Sequence, residues 1–140
     1  MTIQDLSNEK LIELYSSIIK ELKNRKIIRT KNVTGDLAEY LAIQHYCKTS
    51  GLPNLQAAPI GTQNIDAISR AGDRYSIKAV SGNVTGTFHG LNPKGSSDPD
   101  AQKFEYVGII MLELCRRARK LCFSLVHFHE AFANLLLECH

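Results

Sequence analysis

The chain has 140 residues, of which 44% are hydrophobic and 22% are charged, a composition typical of one globular domain and unlike that of fibrous or disordered proteins. The longest apolar run, 107–112, is much shorter than the roughly 18 residues that a membrane helix needs, and the N-terminus carries no secretion signal, so we expect a cytoplasmic protein without a membrane partner. The net charge of +3 permits an anionic partner but does not require one.

An amphipathic helix is predicted at the start of the chain. Ser7 is a suitable N-cap, and apolar residues then recur at intervals of three and four up to about Arg25. We take residues 1–31 as this helix with its basic end, and residues 32–140 as the main part of one globular unit. The apolar stripe of the helix either covers the protein's own sheet or joins two copies in a homodimer.

A second helix is predicted from a cap at Thr34 to about Cys47. Its apolar residues point to nearly all sides, which is typical of a helix packed on several sides. Glu39 lies one turn before Ile43, so its carboxylate is expected in apolar surroundings.

A β-hairpin is predicted next, after a short strand at 55–59. Its strands are 64–69 and 73–80, and the loop between them has Gly72 in third position, where a three-residue hairpin loop needs a left-handed residue.

The register of this hairpin decides which polar side chains meet. If the residues flanking the loop pair, Asp66 faces Ser76 across the ladder, and Lys78 projects from the same face. A bulge at Gly72 would shift the register by one residue and place Asp66 and Lys78 on opposite faces.

The remaining elements complete an α/β or α+β fold. A loop is predicted at 81–102, two strands at 104–114 and 121–128, and a closing helix at 130–138. This order indicates a single layered domain, with a central mixed sheet of about four to five strands flanked by helices.

Three segments resemble the PD-(D/E)xK nuclease superfamily. They are Gly-Asp-Leu-Ala-Glu-Tyr at 35–40, Ile-Asp-Ala-Ile at 65–68 and Arg-Tyr-Ser-Ile-Lys at 74–78. In that superfamily a helix carries a Glu, a strand carries an Asp, and the following strand carries an acid-x-Lys tripeptide. The resemblance covers residues 34 to about 112 and implies a restriction-endonuclease-like fold.

The resemblance also implies a function and a set of site residues. It implies an endonuclease that depends on Mg²⁺ or Mn²⁺ and hydrolyses phosphodiester bonds in DNA, within restriction or defence. Asp66, Glu39 and the backbone carbonyl of Ile77 would hold the metal, and Lys78 would orient the attacking water or hold the scissile phosphate. Oxygen ligands of this kind suit Mg²⁺.

Ser76 departs from the family pattern, because it stands where the family has Asp or Glu. Either Glu39 supplies the second acid and Ser76 belongs to a working catalytic set, or the metal site is weakened. The second possibility corresponds to a catalytically impaired DNA-binding or assembly subunit with the same fold. A protein-interaction domain without a nucleic-acid role is a third alternative.

Basic residues and small hydroxyl residues are the candidate contacts to nucleic acid. Lysine and arginine would neutralise phosphates, and a loop of small residues would approach the sugar-phosphate backbone closely. The four cysteines form no metal-binding or disulfide pattern, so they are expected to be reduced thiols. The candidate contacts are Lys23, Arg25, Lys26, Arg29, Lys31, Thr85, Thr87, Arg116 and Arg117.

Overall fold

Two α-helices precede a sheet in the structure, a computed structural model that describes residues 2–80, 97, 103–111 and 123–127. Helix α1 spans Asn8–Asn24 and follows a short 3-10 turn at Ile3–Asp5; helix α2 spans Val33–Lys48. Within the described ranges, no helix has the length and apolar character needed to cross a bilayer.

Within the described residues, the sheet has five strands, arranged in the order in which they occur in the sequence. Strands β3 and β4 are parallel, and the other neighbouring pairs are antiparallel. The predicted mixed sheet in an α+β fold is therefore confirmed, whereas the predicted loop and closing helix lie outside the described residues, apart from residue 97. The strands are β1 at Leu55–Ala57, β2 at Ala67–Ser69, β3 at Arg74–Val80, β4 at Tyr106–Met111 and β5 at Phe123–His127.

The helix starts show one correct prediction and one error. Ser7 caps α1, and its hydroxyl accepts a hydrogen bond from the backbone N–H of Lys10 at 3.3 Å. The predicted cap of α2 at Thr34 is wrong, because Asn32 takes that place and its side-chain oxygen accepts from the N–H of Gly35 at 3.1 Å. Asn and Thr are both good N-caps, so the local sequence alone did not distinguish them.

Helix α2 packs on one face of the sheet through residues spaced four apart. Ala38, Ala42 and Tyr46 are all buried, and they contact a core that includes Tyr75 and Ile77 of β3. The rings of Tyr46 and Tyr75 meet edge to face, with centroids 5.6 Å apart. This contact fixes the helix that carries Glu39 over β3, on the face opposite to the one from which Lys78 projects.

The hairpin adopts the register predicted without a bulge at the loop. The N–H of Ser69 donates to the carbonyl of Asp73 at 2.9 Å, and Ala67 pairs with Tyr75. Gly72 has φ +90°, a left-handed conformation that costs glycine little.

An ion pair and backbone hydrogen bonds join the start of β3 to the start of β4. The carboxylate of Glu105 accepts a backbone hydrogen bond from Arg74 at 2.5 Å and a guanidinium bond at 2.7 Å. The N–H of Glu105 donates in return to the Arg74 carbonyl at 2.9 Å. These bonds fix the register of the parallel pair next to the hairpin.

Candidate functional site

The Asp66 carboxylate lies where the ladder between β2 and β3 ends. Its Oδ2 accepts a hydrogen bond from the backbone N–H of Ile77 at 2.7 Å and one from the Ser76 hydroxyl at 3.5 Å. One carboxylate oxygen therefore takes the place of a backbone acceptor for β3, and among the described residues the second oxygen, Oδ1, accepts no hydrogen bond.

The Ile77 carbonyl faces the same side of β3. In a strand, the N–H and C=O of one residue point towards the same neighbour, and the Ile77 N–H points to Asp66. The carbonyl is consequently directed to the side on which β2 has ended.

Glu39 and Asp66 line the same cavity, which has a volume of about 140 Å³. Glu39 comes from α2, and its side chain is 20% exposed. A water molecule occupies about 30 Å³ in the liquid, so the cavity has room for more than one small ligand. The wall also contains Arg29, Thr30, Asn32, Asp36 and the segment 58–62.

The surroundings of Glu39 are charged as well as buried, which corrects the expectation of apolar neighbours. Burial, and after it the negative charge of Asp66, raise the pKa of Glu39 to about 7. The Arg29 guanidinium, 3.3 Å from Glu39 Oε2, acts in the opposite direction. Three acids thus line the cavity, and burial and the neighbouring charges leave the Glu39 pKa near neutral pH.

Asp36 and the position of Arg29 in the cavity were not predicted. The buried Asp36 carboxylate accepts from the backbone N–H groups of Arg29 and Thr30 at 2.7 and 2.5 Å, and from the Thr30 hydroxyl at 3.1 Å. These bonds hold the segment before α2, so that Arg29 also donates to the Ala58 carbonyl at 3.1 Å. Asp36 lies three residues before Glu39, a helical spacing that places both on one face and was a usable signal. Arg29 carried no comparable signal.

Lys78 does not line this cavity. It follows Ser76 by two residues on β3, so the two side chains leave the strand on the same face. Ser76 is buried and Lys78 is half-buried. The structure thus brings Asp66 and Glu39 to one cavity and joins Ser76 and Ile77 to Asp66 by hydrogen bonds. It places Lys78 on the face of β3 opposite to the one that packs on α2.

The candidate metal ligands are two carboxylates and a backbone carbonyl. In the part of the chain that the structure describes, no group of three or more His, Cys, Asp or Glu side chains is arranged to hold a metal ion. Mg²⁺ commonly takes one or two carboxylates from the protein and completes its shell with water and substrate phosphate. The oxygen donors of Asp66, Glu39 and Ile77 match this kind of coordination. They include one carboxylate fewer than the superfamily pattern, because Ser76 replaces an acid.

The predicted basic contacts fall into three groups. Lys23, Lys26 and Lys31 are exposed at and beyond the end of α1. Arg25 is exposed there too, but it pairs with Glu21 at 2.7 Å, and Arg29 turns into the cavity. The other predicted contacts, Thr85, Thr87, Arg116 and Arg117, lie outside the described residues.

No model of a known protein family matches the chain, and no curated protein matches its sequence. The likeness to the PD-(D/E)xK superfamily therefore depends on the three sequence segments and on the side chains that they carry.

Proposed function

We propose that the chain is an endonuclease of the restriction-endonuclease-like fold that hydrolyses phosphodiester bonds in DNA with Mg²⁺ or Mn²⁺, in restriction or defence. The observation that carries the proposal is the meeting of Asp66 and Glu39 in one cavity, at the end of the ladder between β2 and β3. Two acids and a lysine on these three elements are what the resemblance implies for the superfamily.

The cavity suits a divalent cation for an electrostatic reason. Proximity to Asp66 contributes to the raised pKa of Glu39, which means that the two negative charges are incompletely compensated. A cation bound between them would favour the ionised form of Glu39. Asp66, Glu39 and the Ile77 carbonyl would hold the ion, which, when bound, would stabilise the negative charge that develops on the phosphate.

The protein's own residues have distinct roles in this proposal. The reaction forms a bond between a water oxygen and phosphorus and breaks the bond from phosphorus to one sugar oxygen. Lys78 would place its ammonium group at the scissile phosphate or at the attacking water, a role that suits a compact cation. Ser76 donates to Asp66 and so orients the carboxylate.

Cleavage of supercoiled plasmid DNA with and without Mg²⁺ or Mn²⁺ tests the proposal. We expect metal-dependent nicking that Asp66→Asn abolishes and that Lys78→Ala slows by at least about a hundredfold, the effect of removing one charge-stabilising donor. Asn keeps the shape of Asp66 and its ability to accept from Ile77. The matched controls Asp73→Asn and Lys48→Ala should cleave at the original rate.

A second candidate is a DNA-binding or assembly subunit with an impaired site. Ser76 favours it, because a buried hydroxyl stands where the family has an acid and adds no charge for a metal. The Arg29 guanidinium on Glu39 favours it too, since it already compensates part of the negative charge. This candidate predicts salt-sensitive DNA binding with no cleavage under any metal, and a protein-interaction domain predicts no binding even at low salt.

A further inference from the structure

Helix α1 presents an apolar surface that no described element covers. None of its residues is buried, and Ile12 and Tyr15 are 66% and 61% exposed. Together with Ile3 of the preceding turn, the apolar side chains of α1 surround a groove of about 380 Å³. Exposed apolar patches of this kind are typical of interaction surfaces. We call this surface the apolar stripe; its α1 members are Leu11, Ile12, Leu14, Tyr15 and Ile18.

The charges along α1 are unevenly distributed, with Lys10 the cation among the acids at its start and Glu21 the acid among the cations at its end. Acidic residues lie towards its start, at Asp5, Glu9 and Glu13, whereas the four cations Lys20, Lys23, Arg25 and Lys26 lie at its end. A parallel pair of such helices would bring four cations against four cations. An antiparallel pair brings the acidic end of one copy to the basic end of the other, and it also aligns the helix dipoles favourably.

The border of the apolar stripe carries a second pair of opposite charges, with the polarity reversed relative to the two ends. Lys10 and Glu21 are eleven residues apart, which is about three helical turns, so both lie on one side of the stripe. Tyr15 lies between them, near the centre of the stripe. If two copies cross antiparallel at Tyr15, Lys10 of one copy lies beside Glu21 of the other, and the two-fold axis makes this pair twice.

We propose that α1 is a homodimerisation helix, which pairs in antiparallel orientation with α1 of a second copy of this chain through the apolar stripe. We choose a second copy as the partner because α1 is complementary to itself. The apolar stripe of one copy can pack on that of the other, and in antiparallel orientation each charged end meets an end of opposite charge. In the single chain, Lys10 and Glu21 form exposed intrahelical pairs with Glu13 and Arg25, at 2.8 and 2.7 Å. Exposed pairs of this kind hold their partners weakly, so both side chains remain able to reach across a dimer.

Sedimentation equilibrium of the full chain over a range of concentrations tests the apolar part of the proposal. We expect a reversible monomer–dimer equilibrium, and Tyr15→Asp should raise the dissociation constant at least about tenfold by placing two carboxylates at the crossing point. Ser16→Asp adds the same charge to the next residue, away from the stripe, and should change the constant less than about twofold. Since Tyr15 is largely exposed, circular dichroism should show both variants folded.

A charge exchange tests the orientation. Lys10→Glu alone, and Glu21→Lys alone, should each weaken the dimer about three- to tenfold at low salt, because each places like charges together twice. The double variant should restore the original affinity.

Three outcomes would overturn the proposal. One is a chain that stays monomeric while Tyr15→Asp lowers its melting temperature, which would mean that the chain's own residues cover the stripe. The second is a monomer whose stability Tyr15→Asp does not change, since the stripe would then serve a different partner or none. The third is a dimer that the charge exchange does not restore.

Discussion

The two carboxylates that α2 places in the cavity differ in what already satisfies them. Asp36 accepts three hydrogen bonds from residues 29 and 30, so it is committed to holding the segment before the helix. Glu39 accepts one bond, from Arg29 at 3.3 Å, and it lies close enough to Asp66 for the two charges to repel. Of the two, Glu39 is the one available to a ligand.

The raised pKa of Glu39 has a consequence for stability. Below pH 4.5 the side chain is protonated in both states; as pH rises towards 7, the unfolded chain releases its proton while the folded chain keeps it. Ionisation therefore removes stability across that interval and none beyond it. The loss ends once the folded form is also ionised.

We expect Glu39→Gln to gain stability over the original protein as the pH rises. The difference between their free energies of unfolding should favour the variant by about 1 to 3 kcal/mol more at pH 8 than at pH 4, because each pKa unit corresponds to about 1.4 kcal/mol. Urea unfolding in metal-free buffer at several pH values measures this. Glu13→Gln, which removes a largely exposed carboxylate, should show no such trend. An advantage of Glu39→Gln that is equally large at pH 4 and pH 8 would contradict the pKa argument.

Among the secondary-structure elements, the start of α2 is where a small change has the clearest effect on the site. A Cβ on Gly35 would collide with the amide nitrogen of Asn32, so the cap and a larger residue at position 35 exclude each other. The same first turn carries Asp36, which holds Arg29 in the cavity.

A double-mutant cycle on the cap tests this arrangement. Asn32→Ala should cost about 1 kcal/mol, as loss of an N-cap usually does. Gly35→Ala should be neutral or destabilising in the original protein, because it displaces the cap. In the Asn32→Ala background it should stabilise by up to about 1 kcal/mol, since alanine favours a helix more than glycine. Equal effects of Gly35→Ala in both backgrounds, measured by urea unfolding, would show that the two residues do not interact.

How much the sequence predicted depends on the range of the interactions involved. The hairpin register was predictable because Gly72 and the loop length act locally, and this register brought Asp66 next to Ser76 and Ile77. The start of α2 was not predictable, since two adequate caps lie two residues apart. Arg29 was expected on the basic surface, but hydrogen bonds to Asp36 seven residues later turn it into the cavity.

At the scale of the whole molecule, the exposed lysines around the end of α1 are the described surface best suited to phosphates. Lys23, Lys26 and Lys31 are exposed, and Arg29 next to them reaches the candidate site. A duplex held by these lysines would therefore lie near the cavity.

Replacing all three of these lysines with alanine should weaken DNA binding and reduce the slope of log affinity against log salt by about 2.7, since each phosphate contact contributes about 0.9. Fluorescence anisotropy with a labelled duplex, titrated at several salt concentrations, measures both quantities. Lys48→Ala, at the end of α2, is the control and should leave the slope unchanged. An unchanged slope in the triple variant would place the DNA contacts elsewhere.

Anomalous diffraction from crystals soaked in Mn²⁺ tests the proposed centre most directly. We predict a peak between the Asp66 carboxylate, the Glu39 carboxylate and the Ile77 carbonyl, and no such peak in crystals of Asp66→Asn. A cavity that stays without Mn²⁺ at saturating concentration, or a peak that persists in Asp66→Asn, would contradict the assignment of these residues as a metal site.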